Sequence, residues 1–142
     1  MTRVAIGVAT FYTDLAERLE TSAVAALKDA GIDQIDRFEV PGAFELPVIA
    51  KYAADAGYDA VVLLGAVIRG QTSHYDHVCE EVARGIMEVQ LTTGVPCGFG
   101  VLTVENQEQA IARSGGGKRD SGEHAVAAIL ALLAAKRTFV TR

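Results

Sequence analysis

Residues 60–68 read Ala-Val-Val-Leu-Leu-Gly-Ala-Val-Ile, a run with no polar side chain. A strand wetted on one face alternates apolar and polar residues. An unbroken apolar run is the pattern of a central strand covered on both faces, which parallel sheets between helices require. The flanking segments agree. Residues 3–9 (RVAIGVA) read as a second buried strand, residues 34–40 (QIDRFEV) as a third, broken by Pro41-Gly42, and residues 97–103 (CGFGVLT) as a fourth.

Helices fill the gaps. Leu15, Leu19, Ala23, Ala26, Leu27 and Ala30 recur at helical spacing, which predicts a helix that has Asp14 as its N-cap, with Glu17 three residues on, and ends near Gly31. A second helix is predicted over 44–56, where Pro47 falls in the first turn and Gly57 follows the end. A long helix is predicted over 74–93, stopped by Gly94 and Pro96, then a short one over 106–113 and a last one over 121–137. Strands alternating with helices predict an α/β three-layer sandwich. Its mostly parallel four-stranded sheet carries helices on both faces, in flavodoxin-like order with right-handed crossovers.

The chain has 142 residues, which predicts one domain over 1–142. A domain of this size buries roughly 68–70% of its unfolded surface and needs no disulfide or metal staple. Half the residues are apolar, 22% are charged and the mean hydropathy is +0.24, which excludes a disordered chain. The apolar excess is large for a small monomer and points to surface kept for neighbours. Lys and Arg number 13 against 18 Asp and Glu, for a net charge of −5, so nothing draws the chain generally to nucleic acid or to an anionic membrane. No apolar run approaches the roughly 18–20 residues of a spanning helix. Residues 1–5 run straight into a strand pattern, so no leader peptide is expected. Cys79 and Cys97 form neither a CxxC nor a zinc spacing and read as free thiols in a reducing cytoplasm.

In parallel α/β sheets ligands bind beyond the carboxyl ends of the strands, which directs attention to residues 10–13, 41–45, 67–74 and 103–106. Phe11 follows the first strand and could stack on a flat heterocycle or cap the core. Glu45 follows the Pro41-Gly42 turn and sits near a helix start, where its charge stabilises the helix end and its oxygens can accept from hydroxyls. Arg69-Gly70-Gln71-Thr72-Ser73 is a Gly-containing loop feeding a helix, so it offers backbone N–H groups and the positive end of a dipole to an anion such as phosphate. His74 stands at its mouth; an imidazole ordinarily titrates near neutrality and suits proton transfer, although a surface His at a helix start is also common. His74, Asp76, His77 and Cys79 lie close in sequence, but no further ligand cluster supports a metal, and none is expected. Residues 112–119 fail as a phosphate loop. Ala112 stands where glycine is needed, and Arg119 where Ser or Thr is needed. Arg113 closes the short helix, where it complements the helix dipole and could equally fork a phosphate monoester. No Ser-His-Asp set and no dinucleotide fingerprint is present.

Taken together, VPGAFELP (40–47), LGAVIRGQTSHYDHVC (64–79), GVPCGFGVLTVENQEQAIARSG (94–115) and GEHAVAAI (122–129) resemble the 6,7-dimethyl-8-ribityllumazine synthases over about residues 4–137. These are transferases of the penultimate step of riboflavin biosynthesis. They condense 5-amino-6-(D-ribitylamino)uracil with 3,4-dihydroxy-2-butanone 4-phosphate, release phosphate and water, and need no cofactor. The resemblance implies that Phe11 stacks on the pyrimidine, that Ala43 and Glu45 hold the ribityl chain with Phe44 also binding substrate, and that Val67 and Ile68 line the pocket. It implies that Gln71 and Thr72 give N–H groups to phosphate and that His74 moves protons. Phe99 and Arg113 are then supplied by an adjacent subunit, Arg113 pairing with phosphate.

Three features depart from the family pattern. Tyr12 stands where many members have Asn. Ser121 stands where many have lysine, which leaves Lys118 or Arg119 to reach the phosphate. Nothing before Val4 supplies the extra leading strand of some relatives. The expected assembly is a cytoplasmic homopentamer with shared sites and not a sixty-subunit shell. The alternatives are a non-catalytic flavin- or lumazine-binding or shell-forming protein of the same fold, and, from element order alone, a flavodoxin-like nucleotide or phospho-signalling domain.

Overall fold

A computed structural model describes residues 1–115 and 119–140. The elements run β1 (Arg3–Ala9), α1 (Thr13–Asp29), β2 (Gln34–Val40), a 3-10 turn (Ala43–Glu45), α2 (Leu46–Asp55), β3 (Ala60–Ile68), α3 (His74–Thr93), β4 (Cys97–Val104), α4 (Gln107–Ala112) and α5 (Ser121–Val140). The strands form one sheet in the order β2-β1-β3-β4, every pairing parallel, with Arg3 opposite Gln34, Val4 opposite Ala60 and Leu63 opposite Phe99.

Alternation along each strand sends neighbouring side chains to opposite faces. Val4, Ile6, Val8, Val62, Leu64 and Leu102 face one way and pack with Leu15, Leu19, Ala23 and Leu27 of α1 and Val126 and Ile129 of α5. Ala5, Val61, Leu63, Cys97 and Val101 face the other way and pack with Leu46 and Ala50 of α2 and Val82 and Ile86 of α3. The result is the expected three-layer sandwich. β1 from Val4 onward and β3 from Ala60 to Gly65 are buried on both faces, which is why these stretches are apolar. Each fully buried Leu or Ile contributes about 1.5–3 kcal/mol relative to exposure.

Glycine brings α5 close. A Cβ on Gly98 would collide with the Ala125 carbonyl oxygen, and one on Gly122 would lie 2.5 Å from that of Leu19. No L side chain fits either gap, so these two positions let α5 lie directly on β4 and α1.

Two helix starts differ from the sequence reading. α1 begins at Thr13, not after an Asp14 cap. Tyr12 is packed against the core, Ala16 N–H donates to its carbonyl at 2.9 Å, and the Thr13 hydroxyl donates back to Thr10 O at 3.3 Å. Asp14 lies within the first turn, where its charge still complements the dipole. The predicted helix over 44–56 divides into the 3-10 turn and α2, because the Glu45 carboxylate folds back to accept Gly42 N–H and Pro47 starts the α-helical turn after it. α4 is capped by Asn106, whose side chain accepts Gln109 N–H at 2.9 Å. α5 runs three residues further than the 137 predicted, to Val140.

Candidate active site

All four strands end on the same side. Thr10 N–H donates to Val40 O at 3.0 Å and Arg69 N–H to Val104 O at 2.9 Å, which ties the carboxyl ends of β1 and β2 and those of β3 and β4 in pairs. Beyond the ends of β1, β2 and β3 opens a cavity of about 550 Å³. Phe11, Ala43, Phe44, Glu45, Val67, Ile68, Thr72 and His74 line it, so most of the residues singled out in the sequence meet in one place. They come from three loops that are distant in sequence and adjacent only because the sheet is parallel.

Each wall has its own chemistry. Phe11 is 74% exposed and Phe44 57%, so both rings stand at the rim. The core-capping alternative for Phe11 therefore fails, and its neighbour Tyr12 takes that place, edge-on to Phe11 at 4.9 Å between ring centres. On the next wall Glu45 Oε1 accepts Gly42 N–H at 2.9 Å. A carboxylate has about four lone-pair sites, so this bond fixes the side chain without exhausting it. Ala43 is buried, and Val67 and Ile68 form an apolar floor. Opposite them His74 opens α3, with its backbone N–H donating to Thr72 Oγ1 at 3.3 Å. The cavity thus has an aromatic lip, an apolar floor, one fixed carboxylate, and a helix N-terminus bearing an imidazole.

Several lining residues were not singled out in the sequence: Pro41, Gly42, Ala66, Gly70, Tyr75 and Val78. His74, Tyr75 and Val78 follow helical spacing on one side of α3, a signal the sequence did carry. Burial holds the Tyr75 phenol above its ordinary range, and a hydrogen bond to the Cys79 thiol adds to this. Both thiols are unpaired, and burial pushes Cys79 up and Cys97 to about 12.

Three expected residues do not join the lining. Gln71 is exposed on its loop. Phe99, 41% exposed, stands on the same face of β4 as Cys97 and Val101 but outside the cavity. Arg113 is half-buried behind α4, where its Nη1 donates to Gln109 O at 3.1 Å and so satisfies a helix-end carbonyl. Ser121 begins α5, its amide donating to Arg113 O at 2.9 Å. Arg119 lies on the described chain; Lys118, the other basic candidate, lies outside the described residues. Among the described residues no group of three or more His, Cys, Asp or Glu side chains is placed to hold a metal, and no helix is long and apolar enough to cross a membrane.

The sequence model of one family, described as 6,7-dimethyl-8-ribityllumazine synthase, matches residues 1–137. The 6,7-dimethyl-8-ribityllumazine synthase of Streptomyces coelicolor is 46% identical over 138 residues, which cover 96% of this chain and 86% of that protein. That of Kineococcus radiotolerans is 47% identical over 137 residues, 95% of this chain and 85% of its own length. That of Streptomyces avermitilis is 47% identical over 138 residues, with 96% and 86% covered. A match that spans nearly the whole chain takes in every loop of the cavity, and the chain belongs to the 6,7-dimethyl-8-ribityllumazine synthase family.

Proposed function

We propose that the chain catalyses the reaction of its family, the condensation of 5-amino-6-(D-ribitylamino)uracil with 3,4-dihydroxy-2-butanone 4-phosphate to 6,7-dimethyl-8-ribityllumazine, with release of phosphate and water. The observation that carries the proposal is the convergence of Phe11, Glu45, Thr72 and His74 on one cavity, within a chain of this family.

The division of labour follows from the chemistry. The uracil's own amine is the nucleophile, so the protein needs none. Phe11 at the rim stacks on the pyrimidine. Glu45, held by Gly42, accepts ribityl hydroxyls, with Ala43 and Phe44 beside it. Val67 and Ile68 give the heterocycle an apolar bed, and Gln71 and Thr72 offer N–H groups to the phosphate at the start of α3. His74 passes protons as the amine adds to the ketone, as water leaves to form the imine, and as phosphate departs. Holding two reactants in register lowers the barrier by several kcal/mol, and a positioned imidazole adds roughly 10²–10⁴ in rate.

Phe99 and Arg113 complete a neighbour's cavity in this reading, as their place outside their own supports. The assembly is a homopentamer. Val48 and Tyr52 on α2 and Met87 and Leu91 on α3, each pair one helical turn apart and exposed, supply apolar surface for it. Two unpaired thiols suit a reducing cytoplasm.

The test is to mix the purified protein with both substrates and follow lumazine absorbance together with phosphate release. Rates above the spontaneous reaction support the proposal; none above it refutes it. The same assay separates the non-catalytic holder that Ser121 favours, which would bind the product and release no phosphate.

A further inference from the structure

Arg69 takes no part in the cavity wall, yet it is the most connected side chain beside it. Its Nε donates to Glu105 Oε2 at 2.6 Å and its Nη2 lies 3.3 Å from Asp76 Oδ1. The guanidinium carbon sits 4.3 Å from the centre of the Tyr75 ring. Its own N–H holds Val104 O. One side chain therefore joins three segments: the loop after β3, the first turn of α3, and the connection from β4 to α4. The far anchor is itself fixed, since Glu105 N–H donates to Gln109 Oε1 at 2.8 Å.

Exposed ion pairs contribute little to stability, and this cluster is largely exposed, Arg69 by 41%. What the fork does is geometric. It contacts Tyr75, which lines the cavity, and ties the first turn of α3 to the connection after β4, and His74 is the residue next to Tyr75 in that turn. A planar guanidinium that stacks and forks at once has no substitute in lysine, a point charge on a flexible stem.

We propose that Arg69, anchored by Glu105, is a positioning residue that fixes His74 for proton transfer. It acts through α3 and touches neither substrate. The proposal rests on the synthase reading above and deepens it.

The experiment measures steady-state kinetics for both substrates in the wild type, Arg69→Lys, Glu105→Gln and Arg37→Gln, with the spontaneous rate subtracted and melting temperatures recorded. Arg37 of β2 pairs with Glu20 and Glu39, away from α3, and controls for loss of a surface network. The expected result is a fall in kcat of about tenfold in Arg69→Lys and in Glu105→Gln, with each KM within about twofold. Arg37→Gln should keep kcat within about twofold. In a His74→Asn background, Arg69→Lys should cost less than about a further twofold, because both changes remove the same function.

An unchanged kcat in both Arg69→Lys and Glu105→Gln overturns the proposal. So does a full additional loss in the His74→Asn background, or a rise confined to the KM of the phosphate substrate, which would make Arg69 a ligand. A wild type without catalysed turnover refutes the synthase reading instead, so the two failures are told apart.

Discussion

Glu45 Oε1 accepts the backbone N–H of Gly42 at 2.9 Å, closing a loop of four residues just after β2. The bond turns a flexible carboxylate into a fixed acceptor at the cavity wall. Glu45→Gln keeps an oxygen for Gly42 and loses the charge. A hydrogen bond to a charged group is worth about 1.5–3 kcal/mol, so KM for the ribitylaminouracil should rise roughly tenfold or more. KM for the phosphate substrate should stay within about twofold. Equal effects on the two substrates would contradict the assignment of Glu45 to the ribityl chain.

His74→Ala separates turnover from binding. It should lower kcat by roughly 10²-fold, while the dissociation constant for the ribitylaminouracil, read by fluorescence titration, changes by no more than about threefold. An unchanged kcat would remove His74 as the proton shuttle.

Arg113 lies behind α4, away from its own cavity, so its loss should be felt next door. Arg113→Ala should raise KM mainly for the phosphate substrate. Mixing unfolded Arg113→Ala and His74→Ala chains and refolding them together should raise activity, at a low concentration of the phosphate substrate, above that of either variant alone, since some mixed neighbours then share one intact site. No recovery on mixing would argue against shared sites. Light scattering should give a mass near five chains; a mass near sixty would overturn the pentamer.

The Cys97 thiol, buried in the sheet and pushed to about 12, should resist alkylation in the native protein at pH 9 and react once urea unfolds the chain. The sign of its effect on stability follows. An unfolded thiol ionises near pH 8.5, whereas the folded one stays protonated to about 12. The unfolded state therefore binds fewer protons between these values, and stability falls as pH rises through that window. Below it the contribution is fully present. Urea melts of the wild type against Cys97→Ala should show the extra slope only in the wild type.

Gly98→Ala tests the close packing of α5. Its methyl would collide with the Ala125 carbonyl, a backbone atom that moves only with the helix. Overpacking of this kind costs about 1–3 kcal/mol, read as a lower urea midpoint at unchanged slope.

Much of this molecule was legible before its coordinates. β3 was read to the residue because its apolar run leaves no other interpretation, and β2 because Pro41-Gly42 ends it sharply. The start of α1 was not, since it depends on Tyr12 packing against the core, and no local signal reports that. The cavity residues were found because parallel topology brings strand ends together. Tyr75 and Val78 carry only a weak signal in the sequence, the helical side they share with His74. The latch between Arg69 and Glu105 spans 36 positions and depends on β3 and β4 being neighbours. Phe99 and Arg113 stand outside the cavity of their own chain, so their proposed role at a neighbour's site is one that a single chain does not display.

The common polarity of the strands has one more consequence. The opposite end of the sheet carries a crevice lined by Tyr58, Asp59, Val95 and Lys136, a full strand length from the rim. Substitutions there can alter how firmly the chain folds without touching turnover, and those at the rim can alter turnover while the sheet stands. Stability and turnover are therefore set at opposite ends of the same four strands.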